Sequence, residues 1–221
     1  MTDCGAVATG SMETGAVETG SVEIGCGVPR GFRRLEPSPD PARLAELRAV
    51  LAGRAAEVLA AQQHTVGLLA GQGVLFCALG LHRGPGSADE VRPSVLTLAA
   101  GELGGVAPGP LLAELLARAR GTAEGGAGSR PLELPAGPAA LLLGRGSGTP
   151  PRFDGAAAEP PGRLWAGTVA LASAAHDRLV LLQLTSACPE LGADYRAILL
   201  ATAHTLTLSG PPRSRIRDAL G

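Results

Sequence analysis

The stretch LVLLQLTSACPELGADYRAILLATAHTLTL, residues 179–208, decides the fold. Its first eight residues are apolar almost without interruption, which is the pattern of a central strand covered on both faces. Cys188 then stands directly before Pro189, and an apolar middle of Ile198, Leu199 and Leu200 follows at helical spacing. Pro fits the first turn of a helix, so the spacing predicts a helix over about 190–204.

Upstream, RLWAGTVALASA (163–174) and RLVLLQLTS (178–186) read as a hairpin around AHD. VLFCALGLH (74–82) and RPSVLTLAAG (92–101) read as a second hairpin, joined by the turn-rich RGPGSADE. LLAELLARAR (111–120) reads as a short helix, with Leu111, Leu112, Leu115 and Leu116 inward and Arg118 and Arg120 at its negative end. Strands are expected at 30–35, 131–135 and 139–144, and a long loop at 147–162. Asp40 before Pro41 is a strong helix start. Apolar side chains at spacings of three and four, from Leu44 to Leu69, carry that amphipathic helix to about residue 70. Repeated hairpins with intervening helices point to an α+β fold, one mostly antiparallel sheet with helices packed on it.

The N-terminal segment differs. Gly falls at 5, 10, 15, 20 and 25, within the repeat TGSME, TGAVE, TGSVE, and the only charged side chains before Arg30 are Asp3, Glu13, Glu18 and Glu23. A five-residue period fits neither helix nor strand, so residues 1–28 are expected to be a disordered acidic tail. A single domain is expected over 29–210 and a polar tail over 211–221.

Composition narrows function. At 45% hydrophobic and 18% charged residues, the 221-residue chain can bury a proper core. Its 32 Gly and 18 Pro fall just short of a wholly disordered composition. All 19 basic residues are Arg. They are scattered, with one small cluster at Arg213, Arg215 and Arg217, and the formal charge is −1. Only five aromatics occur: Phe32, Phe76, Phe153, Trp165 and Tyr195. A nucleic-acid binder concentrates a basic face and, for single strands, stacking rings, so no nucleic-acid partner is expected. Cysteines at 4, 26, 77 and 188 and histidines at 64, 82, 176 and 204 lack metal-ligand or disulfide-framework spacing, so no metal and no cofactor are expected. No apolar run is long enough to cross a bilayer and no secretory signal is visible. The expectation is a cytoplasmic protein that does not associate with a membrane.

Several of these pieces together resemble a group of uncharacterised actinobacterial proteins with a PsbP-like α/β/α sandwich. They are the helix after PDPARLAEL, the strands GVLFCALGL and PSVLTLAAG, the turn LELPAGPAALLLG, and the close from Leu164 to Leu208. Relatives show an aliphatic strand ending in Ser or Thr and then a helix with an aromatic near its start, places filled here by Leu184-Thr185-Ser186 and Tyr195. The resemblance covers roughly residues 28–210 and carries no catalytic signature. It implies an accessory or protein-binding role, with a secretion or toxin–immunity system as one setting. The lipobox of the lipoprotein members is lacking.

Three residues stand out as candidate interaction or reactive groups: Cys188, Trp165 and Tyr195. A thiol at a helix N-terminus feels the positive end of the dipole, which lowers its pKa and favours a nucleophile. A nucleophile also needs a base. His204 lies more than about 20 Å away along the closing helix, and His176 lies at the far end of the strand. Cys188 therefore reads better as a joint between strand and helix, and no catalytic residue is assigned. Trp165 reads as a core filler, or as the marker of a binding surface if exposed. The expected function is a non-enzymatic accessory or interaction module with a protein partner. The alternatives are a cysteine-dependent enzyme or redox sensor using Cys188, and a small-ligand carrier.

Overall fold

The computed structural model describes residues 13–19, 22–35, 74–83, 91–121, 128–148, 162–186 and 188–210. The helix expected from Asp40 to about residue 70, most of the 147–162 loop and the 211–221 tail lie outside them.

Ten strands and two α-helices are described: β1 (Glu13–Thr19), β2 (Val22–Val28), β3 (Phe32–Leu35), β4 (Val74–Arg83), β5 (Val91–Glu102), α1 (Pro108–Gly121), β6 (Arg130–Leu134), β7 (Gly137–Gly148), β8 (Gly162–Ser173), β9 (Arg178–Ser186), α2 (Gly192–Ala203) and β10 (Thr207–Ser209). Seven form one antiparallel sheet in the order β3-β4-β5-β9-β8-β7-β6. The fold is α+β. As its apolar run predicts, β9 takes the centre, and both expected hairpins form, β4 with β5 and β8 with β9. At one edge β6 carries Pro131, where a missing N–H costs the ladder least.

Alternation along the strands assigns the two faces. Leu141, Val169, Leu171, Val180, Leu182 and Leu184 are buried on one face, under Tyr195, Leu199 and Ala203 of α2. Ala140, Ala170 and Ala172 lie on the other, under Leu112 and Leu116 of α1. The small alanines let α1 approach the sheet closely. The layers are helix, sheet, helix.

Two expectations need correction. Instead of one sheet there are two, because β1, β2 and β10 form a separate three-stranded sheet in the order β1-β2-β10. Glu13–Thr19 and Val22–Val28, expected to belong to a disordered tail, are therefore strands. The five-residue glycine period masks a two-residue period within it: Val22, Ile24, Cys26 and Val28 alternate along β2 and are all buried in the main core. That burial offsets the entropy cost of ordering the glycines. Gly25 also has a specific reason, since a Cβ there would collide with Thr207 Oγ1 of β10.

Candidate functional site

The three residues singled out from the sequence come together at the end of β9. Trp165 is the cross-strand neighbour of Ser186 on β8. Its ring centroid lies 5.5 Å from that of Tyr195, the planes tilted by 43°, within the range of favourable aromatic pairs. The Ser186 hydroxyl donates to the Tyr195 hydroxyl at 2.9 Å. The same oxygen accepts from the backbone N–H of Cys188 at 3.2 Å. One serine thus ties the strand end, the turn and the first turn of α2.

All three side chains are enclosed. Trp165 is 6% exposed, Tyr195 1% and Cys188 1%. Two glycines leave the space the indole fills. A Cβ at Gly192 would stand 2.8 Å from the indole Cδ1 and Nε1, and one at Gly167 would stand 2.6 Å from its Cη2. This ring fills a slot between β8 and the start of α2, and does not present a surface platform.

Cys188 does not occupy the N-terminus of the α-helix. It precedes a three-residue 3-10 turn, Pro189–Leu191, whose Leu191 N–H donates to the Cys188 carbonyl at 3.1 Å. Pro189 forces this tight entry, and α2 begins only at Gly192. The histidines stand where the sequence distances put them. His204 caps the far end of the twelve-residue α2, a helix about 18 Å long that begins only after the 3-10 turn following Cys188. His176 lies in the β8–β9 turn, at the other end of the nine-residue β9, about 30 Å away.

That turn holds a second polar cluster. His176 Nδ1 and Ser173 Oγ share a hydrogen bond of 3.0 Å. Asp177 adopts φ +52°, a left-handed conformation that suits Asp in tight turns. Its carbonyl accepts from Leu103 N–H at 3.2 Å and its Oδ1 from Gly105 N–H at 3.4 Å. Arg178, buried on β9, donates to Glu102 Oε1 at 3.1 Å. These contacts fasten the hairpin to the end of β5. The pairing of Arg178 with Glu102 follows only from the β5–β9 register.

The chain matches no family model and no curated protein. Among solved structures it is similar to LpqN, involved in cell envelope biogenesis of Mycobacterium tuberculosis. The match covers 92% of this chain and 94% of that one, at 15% identity and a TM-score of 0.43. No helix among the described residues is long and apolar enough to cross a membrane.

The sequence reading missed Ser186 as the link and the two glycines as the space for Trp165. A lone Gly inside the apolar strand β8 was the available signal, because Gly at such a place often marks a close approach. Among the described cysteines, Cys26 and Cys77 are also buried thiols. Burial pushes each up from 9.0 to about 11, with a hydrogen bond from Thr205 working the other way at Cys26.

Proposed function

We propose that the chain is a non-enzymatic accessory module that works by binding a protein partner, without a cofactor. One observation carries this reading. Cys188, Trp165 and Tyr195, the groups with a physical reason to be reactive or to bind, are taken up by the joint between β8, β9 and α2. Recognition then falls to the surface. The helix–sheet–helix layering also supports a PsbP-like sandwich, an architecture suited to such a role, though fold alone does not specify function.

We assign the partner surface to the outward side of α2. Ala193, Ala197 and Ala201 are exposed there one turn apart, flanked by exposed Asp194 and Arg196. Small side chains at successive turns allow a partner element to approach the helix backbone closely.

The test is capture of a stoichiometric partner from the native host under mild lysis, with wild-type chain and with Ala197→Arg as bait. Ala197 points outward and Arg is a good helix former, so the fold is kept. The reading predicts one partner at stoichiometric yield with wild type and its loss with Ala197→Arg. Absence of such a partner, or equal capture by both baits, counts against it.

A further inference from the structure

Among the described residues the larger sheet ends on the edge strands β3 and β6, and the smaller on β1 and β10. An edge strand offers a row of backbone N–H and C=O groups to any strand that can lie beside it. Proteins blunt such edges by shortness, proline, bulges or charge. β3 has four residues, β10 has three, and β6 carries Pro131 within its five. β1 lacks these devices. Its seven residues, Glu13–Thr19, hold no proline, and its ladder with β2 runs from Glu13↔Val28 to Thr19↔Val22 without a bulge. β2 occupies one side of β1, and the other side has no strand against it among the described residues. Charge is the remaining safeguard. Glu13 and Glu18 disfavour any strand that sets a carboxylate opposite them, and so select what can pair.

The sequence of β1, ETGAVET, fits a second copy of itself. Two copies laid antiparallel across a two-fold axis at Ala16 overlap along their whole length. Glu13 then stands opposite Thr19 of the second copy, Thr14 opposite Glu18, Gly15 opposite Val17, and Ala16 opposite Ala16. Each glutamate is set against a threonine, and none against a glutamate. This register also keeps the faces in line. Alternate residues share one face of a strand, and here odd positions meet odd and even meet even. The side of one small sheet that carries Ile24 and Cys26, the partners of Val17 and Gly15, therefore continues into the same side of the other. A slip by one residue would set Glu13 against Glu18 and turn the faces over.

From this register we propose that β1 is a self-association edge, through which a second copy of the chain joins the two small sheets into one continuous antiparallel sheet. The contact is isologous, as a closed two-fold dimer requires. It is made by main-chain hydrogen bonds, the chemistry of strand addition. A single strand pair buries little area, so the dimer forms at high protein concentration and dissociates on dilution. This surface belongs to the small sheet and is separate from the outward side of α2.

The experiment is sedimentation velocity on the full chain over about a 100-fold concentration range, across which a dimer grows by mass action. Wild type should pass from monomer to dimer. Within its own chain Ala16 pairs with Gly25, so a charge placed there has no charged partner across β2. Ala16→Glu and Ala16→Arg each bring like charges together at the two-fold axis and should weaken the dimer at least about 3-fold. An equimolar mixture of the two variants should recover a heterodimer, because position 16 then faces the opposite charge. Glu133→Arg, on the edge strand β6, serves as control and should leave association unchanged. A wild type that stays monomeric throughout overturns the proposal. So does a dimer that survives both Ala16 variants, a mixture that associates no better than its components, or an equal loss in Glu133→Arg. Circular dichroism checks the fold of each variant. If an Ala16 variant misfolds, position 14 decides the matter, since it faces Glu18 of the second copy: Thr14→Arg should tighten the dimer and Thr14→Glu weaken it, and the absence of that opposition overturns the proposal.

Discussion

Ser186 and Tyr195 lie nine residues apart and share a buried hydroxyl–hydroxyl hydrogen bond of 2.9 Å. Because Ser186 Oγ also accepts from Cys188 N–H, the two ends of this bond are not equivalent. Tyr195→Phe removes one donor–acceptor pair and should cost about 1 kcal/mol. Ser186→Ala leaves both the Tyr195 hydroxyl and the Cys188 N–H without this oxygen and should cost more, about 1–3 kcal/mol. Urea unfolding of the two single variants and the double variant measures both costs and their coupling.

The indole slot gives a second expectation. Gly167→Ala places a methyl 2.6 Å from Trp165 Cη2 and 2.8 Å from Leu199 Cδ2. Overpacking of this kind should cost about 1–3 kcal/mol. Part of the loss should return when Trp165→Phe is added, since the smaller ring vacates that space. Trp165 is the only tryptophan, so its fluorescence reports the disturbance directly, with a red shift expected in Gly167→Ala.

Cys26 and Cys77 should resist alkylation while the chain is folded. Their pKa values, raised by burial from 9.0 to about 11, lower the thiolate fraction at pH 8 by roughly 100-fold, and it is the thiolate that reacts. Mass spectrometry after iodoacetamide treatment, with and without denaturant, reads the difference site by site. The sign of the pH dependence is also fixed. Between pH 9 and about 11 the unfolded chain has lost protons that the folded chain retains, so these thiols make stability fall as pH rises through that window. Below about pH 9 their contribution is constant. Denaturant midpoints measured from pH 8 to 11 in wild type and in Cys26→Ala/Cys77→Ala check it. The slope should be shallower in the variant.

The pair between Arg178 and Glu102 is asymmetric, with side chains 9% and 58% exposed. Removing the solvated partner leaves a buried cation with less compensation. Glu102→Ala should therefore cost about 1–3 kcal/mol, more than is usual for an exposed position. Arg178→Met removes the buried charge and leaves a carboxylate that water can solvate, so it should cost less. Thermal unfolding of the two variants ranks them, and the reverse order would refute this account.

Ile24 tests the least anticipated part of the fold. Its side chain is fully enclosed in the main core, so Ile24→Ala should cost about 2–5 kcal/mol. A disordered segment would tolerate the same change without effect.

The contrast between Ile24 and Leu182 shows what was legible in the sequence. Leu182 lies in a long apolar run bounded by turn residues, and that pattern identified β9, its hairpin with β8 and its central place. Ile24 lies among Gly, Thr and Ser at a conspicuous period of five, which hid the alternation of Val22, Ile24, Cys26 and Val28. β10 was missed because three residues are too short to show a period. The helix α1 was legible from its leucine spacing. At the joint, Cys188, Trp165 and Tyr195 were each picked out alone. Their meeting depends on the β8–β9 register and on the direction in which α2 leaves Pro189, and neither is encoded locally.

The small sheet has a consequence for synthesis. β2 pairs on one side with β1 and on the other with β10, so that Gly25, Ile24 and Glu23 meet Thr207, Leu208 and Ser209. About 180 residues separate these partners. A ribosome must therefore deliver nearly the whole chain before β2 can acquire its second neighbour. Until then the apolar row from Val22 to Val28 has only β1 as a sheet neighbour, and apolar surface exposed in this way during synthesis is prone to aggregation.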